Sequence, residues 1–362
     1  MSTAFDDLGL RSSLILAPLA GVSDVPFRRI CQSLGADLTY VEMLSATALV
    51  YQNPRTLAML ERHPEERLLG VQLTASNPQD MGKAVAILDE YPFDTIDINM
   101  GCPVKKIVKV GCGSALLKSP PDAFKIIQAA RMSTQKPLSV KIRLGWDHQS
   151  YTFLEIGKVA EEAGADWITI HGRTRSDDYS APVDLEKIAE LKSKLGIPVV
   201  GNGNILSPED AKSMCAHTKV DALMVSRGAL GNPWIFGHIK EDHERTSLSS
   251  WKRVVLDHFD WQQQAYGQSA AAVVRMRKHL LWYTKGWPGA RHLRDRMNHV
   301  SELQEAIAMI EAFADDVEKT TVPWRLPPYS SASQSNRFSW DPKFEMDRQF
   351  DRAAADEFSL AE

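Results

Sequence analysis

The sequence is short of cysteine: Cys31, Cys102, Cys112 and Cys215 are the only four in 362 residues, with no CxxC pair and no Cys/His spacing of the zinc type. Neither a disulfide framework nor a structural metal site is indicated, and no metal is expected. Long apolar runs are missing too. Nothing approaches the roughly 18 consecutive apolar residues that a bilayer crossing needs. The opening MSTAFDDLGLRSS lacks the basic-then-apolar pattern of a secretory leader. A cytoplasmic chain without a membrane partner is therefore expected. Nor is there an excess of basic charge, since 42 Lys and Arg stand against 46 Asp and Glu, a net −4, which argues against a uniformly basic nucleic-acid binder. The charge is uneven, however. Residues 251–300 hold nine basic and three acidic residues, a local +6 that leaves −10 elsewhere. Such asymmetry marks either a polyanion-binding face or a solvated helix surface.

What the sequence does have is a repeated alternation. Short β-rich runs recur at SLILAPL (13–19), LTYVEML (38–44), LLGVQLT (68–74), TIDINMG (95–101), LSVKIRL (138–144), WITIHGR (167–173), PVVGNGN (198–204) and ALMVSRG (222–228). Helix-period stretches lie between them. Some open on start signals, such as Pro78 in SNPQDMGKAVAIL and Ser207-Pro208 in SPEDAKSM, and some stop at a glycine, as at Gly35 and Gly164. Eight strands alternating with helices imply parallel βαβ crossovers and close into a TIM (β/α)8 barrel. A doubly wound open sheet is the competitor, but it needs fewer strands and usually a glycine-rich first turn.

Most runs start apolar and finish on a polar group: Gln72, Asn99, Lys141, Arg143, His171, Arg173, Asn202, Asn204 and Arg227. In a barrel these carboxyl ends converge on the face where active sites are built. GNGNI and SRGALGNPW end the seventh and eighth runs, the usual barrel phosphate site, where glycine backbone N–H groups and Arg227 suit an anion. Lys141 near the axis suits either a flavin ring, whose reduced anionic form a cation favours, or a Schiff base. Position alone leaves both open.

Nine ordered motifs, LAPLAGVSDVPFR, EMLSA, VQL, DINMGCPVKKIVKVGCGSALL, VKIRLGW, ITIHGRTR, GNGNI, SRGALGNPWIF and RKHLLWY, resemble the tRNA-dihydrouridine synthase family, in particular its bacterial B-type branch. The resemblance covers about residues 12–315. It implies FMN, reduced by NADPH, and reduction of the C5–C6 double bond of particular uridines in tRNA. Carried over by position, it implies that Ala17, Pro18 and Leu19 line the flavin and that Gln72, Asn99, Lys141 and His171 contact it. Asn202, Gly203, Asn204, Ser226 and Arg227 then hold its phosphate end. Cys102 matches the catalytic cysteine, with hydride passing from the flavin to C6 and a proton from the thiol to C5. A lone thiol suits that task, because at a pKa of about 8.5 it still holds its proton near neutrality. Two positions depart from the family pattern. Cys112 stands where a small residue, commonly alanine, is usual and reads as structural, and Ser226 stands where glycine is common.

The same resemblance makes residues 1–240 the FMN-binding barrel and 241–315 a helical tRNA-binding domain. Lys105, Lys106, Arg275, Arg277, Lys278 and His279 are then the RNA-contact candidates. Trp251, Trp261, Trp282 and Trp287 lie in the same helical region, where a bundle core explains them as well as base stacking does. From 316 to 362 the chain turns proline- and serine-rich without apolar period, and an extended or disordered tail is expected. Two other functions stay open: a flavin dehydrogenase of a free pyrimidine or dihydroorotate, which needs no basic appendage, and a non-catalytic RNA-binding protein, which has no use for Cys102, Lys141 and His171 together.

Overall fold

The computed structural model describes residues 3–319 except 242–245, 268–269, 286, 288 and 301. Each of the eight β-rich runs is a strand. In chain order they are β1 (Leu14–Leu16), β2 (Leu38–Tyr40), β4 (Leu68–Thr74), β5 (Thr95–Met100), β6 (Leu138–Arg143), β7 (Trp167–His171), β8 (Val199–Asn202) and β9 (Ala222–Val225), with a two-residue strand, β3 (Leu44–Ser45), after β2. Every pairing between these strands is parallel. β1 pairs with both β2 and β9, and β2 with β4, so the sheet closes on itself as an eight-stranded barrel. β3 adds Leu44↔Leu73 and Ser45↔Thr74, extending the wall beside β4 where β2 has ended.

The crossovers are helices for reasons written locally. The Asp24 carboxylate accepts from Phe27 N–H at the start of Val25–Ser33, Asn77 caps Pro78–Asp89, and Ser207 caps Pro208–Thr218, each with proline in the first turn. Gly35 and Gly164 follow their helices at φ +111° and +92°, a conformation that favours glycine and turns the chain back towards the next strand.

The amino ends of the strands are filled by a hydrophobic cluster. At the amino ends of the strands, Phe5 from the short helix Ala4–Asp7 packs edge-on against Trp167, ring centroids 5.5 Å apart, and Leu10, Ile15, Tyr40, Val200 and Met224 fill the space around them. The polar strand ends lie at the opposite, carboxyl face, on which barrel enzymes carry their sites. A buried ion pair braces the outer wall: Arg28 Nε and Nη2 meet the Glu66 carboxylate at 2.7 and 3.1 Å.

Helices Leu248–Tyr266, Ala270–Tyr283, Ala290–Met297 and Leu303–Glu318 form the helical unit after the barrel. Its core is its own, built from Trp251, Val255, Phe259, Met276, Leu280 and Ile310, with Ile30 and Trp234 entering from the barrel side. Trp251 and Trp287 lie 4.8 Å apart inside this core, so these two aromatics serve packing. The last helix runs to Glu318, three residues beyond the boundary expected at 315. From 320 onward the expected tail lies outside the described residues. Among the described residues no helix is long and apolar enough to cross a membrane.

Candidate active site

The mouth of the barrel gathers side chains from five consecutive strands. Lys141 on β6 donates to Asn202 Oδ1 on β8 at 3.2 Å, and Asn202 Nδ2 donates to the Met224 carbonyl at 2.6 Å and to Ser226 Oγ at 3.1 Å. Arg227 and Arg173 both donate to Asn204 Oδ1, at 3.0 and 3.1 Å, and Arg227 lies over the Tyr179 ring at 4.2 Å. Gly203, at φ +125°, passes so close to His171 that a Cβ there would sit 2.9 Å from the ring. Ala17 is buried at the end of β1, with Pro18 and Leu19 half-buried beside it. Lys141, Asn202, Ser226, Asn204, Arg227 and His171 are thus gathered at the carboxyl ends of neighbouring strands.

Charge is what distinguishes this mouth. Lys141, Arg143, Arg173 and Arg227 make no ion pair within 4 Å among the described residues. Burial, then the Arg143 charge, lowers Lys141 to about 8, against the pull of Asp97. Burial, then Arg227 and Arg143, lowers Arg173 to about 10. Burial and the same four cations hold His171 well below the usual imidazole range, so it is neutral. Arg173 Nη1 donates to His171 Nε2 at 3.2 Å, which places the imidazole proton on Nδ1. Arg143 and Arg173 spend further donors on loop carbonyls, Gly101 and Thr174 for the first, Ala181 and Tyr179 for the second. A surplus of buried positive charge is costly without an anion, and a phosphate-bearing ring such as FMN supplies one. The donor set fits that cofactor.

Cys102 stands on the loop after β5, half-buried, with its N–H donating to Asn99 Oδ1 at 2.9 Å and its carbonyl accepting from Ser114 N–H and Oγ. Burial raises its thiol, outweighing the Val104 backbone hydrogen bond and the Arg143 and Lys141 charges, which act the other way. It is a protonated thiol at neutral pH. Cys112 is buried, its N–H bound to the Ile107 carbonyl at 3.1 Å, and burial raises its thiol as well. Gln72 and Asn99 are more committed than the sequence indicated. Gln72 Nε2 donates to Asp97 at 2.6 Å, Asn99 Nδ2 donates to Gln72 Oε1 at 3.0 Å, and each amide nitrogen keeps one further N–H for a ligand. Asp97 is the residue that sequence reasoning missed. Its signal was an acidic side chain buried inside a parallel strand, between Ile96 and Ile98.

The RNA-contact candidates separate. Lys105 is exposed and Lys106 half-buried at the start of the helix Lys105–Lys109, three and four residues from Cys102. On the helix Ala270–Tyr283, Arg275 is exposed and stacks over Tyr266 at 4.2 Å. Arg277 donates to the Val300 carbonyl at 2.5 Å, and Lys278 donates to the Gly21 carbonyl. His279 corrects the sequence expectation. It is 1% exposed and packs on Phe27, His258 and Trp282, so it lies in the seam between the two units and not on an RNA-facing surface. The reason is periodicity: His279 shares the buried stripe of Met276, Leu280 and Tyr283.

Fold and mouth together define a TIM barrel with a cationic, polar mouth suited to a phosphate-bearing cofactor. The barrel resembles 2-naphthoyl-CoA reductase in its 2-naphthoyl-CoA complex (TM-score 0.51, 11% identity, 65% of this chain and 50% of that one). It also resembles histamine dehydrogenase from Rhizobium sp. 4-9 (TM-score 0.51, 13% identity, 85% and 62%). At such identities the likeness is one of fold. The sequence is more specific: the dihydrouridine synthase family model matches residues 15–318, and the chain belongs to that family. The tRNA-dihydrouridine synthase B of Pasteurella multocida is 38% identical over 310 residues, covering 84% of this chain and 93% of that protein. The protein of the same name from Pseudomonas putida is 38% identical over 314 residues, covering 84% and 92%.

Proposed function

We propose that this chain reduces uridines of tRNA to 5,6-dihydrouridine and that Cys102 is the acid that protonates C5 of the base. Bound FMN, itself reduced by NADPH, supplies the hydride for C6. The chain's own residues do the rest. Arg227, Ser226, Asn202, Asn204 and the Gly203 backbone would hold the phosphate end, while Gln72, Asn99, Lys141 and neutral His171 would contact the ring. Ala17, Pro18 and Leu19 give the ring an apolar wall. The target base must leave its stack to reach a mouth of this depth. Lys105, Lys106 and Arg275 are then placed to meet RNA phosphates, which position the substrate without reading its sequence. In this reading residues 1–240 are the catalytic unit, and the helical unit from 241, extended to 318, supports the RNA.

What supports the acid role is the placement of Cys102: half-buried on the loop after β5, its backbone held by Asn99 and Ser114, where burial raises its thiol. General-acid catalysis contributes about 10²–10⁴-fold. Replacing Cys102 by alanine is therefore expected to cost about that much in dihydrouridine formed per enzyme, with the yellow colour of bound flavin retained. Undiminished turnover on tRNA would remove Cys102 from the role. Purified protein that is colourless and takes up no flavin would remove the whole reading.

A further inference from the structure

The family's chemistry accounts for the thiol but not for Asp97, on the strand that leads into the thiol's loop. Asp97 is 1% exposed in the middle of β5, and Gln72 and Asn99 are almost as deeply buried. Their hydrogen bonds run in one line. Ser139 Oγ and Gln72 Nε2 both donate to the Asp97 carboxylate, each at 2.6 Å. Asn99 Nδ2 donates to Gln72 Oε1 at 3.0 Å. The N–H groups of Gly101 and Cys102 donate to Asn99 Oδ1 at 3.2 and 2.9 Å.

An amide is directional, and both ends of this line are fixed. At one end burial raises Asp97 to about 6, so above that pH it is an ionised carboxylate that only accepts; at the other, backbone N–H groups only donate. Gln72 must present its nitrogen to Asp97 and its oxygen to Asn99, and Asn99 must present its oxygen to the loop. Turning either amide over sets donor against donor or acceptor against acceptor inside a buried network, which costs more than a missing bond at the surface. We propose that Asp97 is a positioning residue for Cys102: through the orientation of Gln72 and Asn99 it holds the loop that carries the thiol. Asp97 is also surrounded by groups that respond to its charge, Lys141 on β6 and Tyr40 on β2, yet the line to Cys102 runs through the two amides alone.

This inference rests on Cys102 being the proton donor, and a polarity swap tests it. Asn99→Asp makes both ends acceptors, so Gln72 faces a carboxylate with its oxygen whichever way it lies. Asp97→Asn preserves the line, because Ser139 can turn its hydroxyl to accept. Combining the two rebuilds a complete line of altered polarity. The amide introduced at position 97 donates to Gln72 Oε1, Gln72 Nε2 donates to the carboxylate introduced at position 99, and that carboxylate still accepts from Gly101 and Cys102. The four proteins keep their side-chain volumes. Two readouts are taken on the flavin-loaded enzyme: the rate of Cys102 alkylation by iodoacetamide without RNA, and kcat and KM on tRNA.

Asn99→Asp is expected to lower kcat and alter the alkylation rate about ten-fold, the size of one misdirected buried hydrogen bond. KM should change little. Asp97→Asn is expected to stay within about three-fold of the parent on both readouts, and the double variant to return the alkylation rate to near the parent's, the readout that a flavin contact by position 99 does not move. A double variant whose alkylation is no nearer the parent's than that of Asn99→Asp alone would overturn the proposal, as would an Asn99→Asp variant whose alkylation matches the parent. A parent enzyme that forms no dihydrouridine would instead defeat the functional reading, and the alkylation arm keeps those failures apart.

Discussion

Two buried polar clusters can be set side by side: the barrel mouth and the seam where the helical unit meets the barrel. At the seam, Asp24 accepts from Phe27 N–H and from Gln262 Nε2 at 3.0 Å, and His258 Nδ1 lies 3.0 Å from Tyr283 OH. Lys278 closes the cluster, its ammonium near the Asp24 and Glu42 carboxylates. Asp24, His258 and His279 do bring donor atoms within 4.8 Å of one another. There, however, Gln262 turns an N–H onto Asp24, and the Lys278 charge repels a cation. The seam carries its own counter-charges and holds two bodies together. The mouth collects four cations and leaves them without an ion pair. Unbalanced buried charge, more than burial of polar groups as such, is what separates a ligand site from a structural joint.

The comparison breaks first at Arg227. Replacing it by glutamate puts an anion where the phosphate end is held, and loss of a charge-assisted bond is worth about 1.5–3 kcal/mol. FMN affinity, read by equilibrium dialysis or flavin fluorescence, should fall about 10- to 100-fold, with the protein's melting temperature near the parent's. Unchanged affinity would mean that the mouth's charge has another purpose. The seam should respond to pH instead. Burial lowers His258 to about 4, so below its usual pKa of about 6.5 the unfolded chain binds a proton that the folded one refuses. Stability from this group is complete above pH 6.5 and is lost as pH falls from there towards 4. Each unit is worth about 1.4 kcal/mol, so about 2 kcal/mol should go between pH 7 and 5. Urea unfolding of His258→Gln should show a shallower acid loss by that amount. Equal slopes in both proteins would place the acid sensitivity elsewhere.

Much of this was legible in the sequence because a barrel strand buried on both sides reads as a short apolar run, and its exit towards the mouth as a polar residue. Lys141, His171, Asn202 and Arg227 were found that way. Asp97 escaped because the same rule treats an acid within a run as an interruption, whereas here Gln72 and Ser139 satisfy it from the neighbouring strands. His279 was misplaced for the opposite reason. RMRKH is a basic patch only when read linearly, and helical rotation sends its five residues in different directions. Partners far along the chain decided the rest: nothing near Lys278 in sequence announces Gly21, 257 residues away.

The smallest expected effect tests that rotation directly. Arg275 and Arg277 are two residues apart and carry the same charge. Arg275 is exposed above Tyr266, whereas Arg277 is half-buried and spends a donor on the Val300 carbonyl. If Arg275 meets an RNA phosphate, Arg275→Gln should weaken tRNA binding a few-fold, about 1 kcal/mol, and reduce the slope of log affinity against log salt by about one. Arg277→Gln should leave both affinity and slope where they were, and cost stability instead through the carbonyl it abandons. Filter binding at several salt concentrations separates the two. Equal losses of slope in both variants would mean that the helix presents a continuous basic face to RNA, and that the exposed Arg275 and the half-buried Arg277 do not differ in the complex.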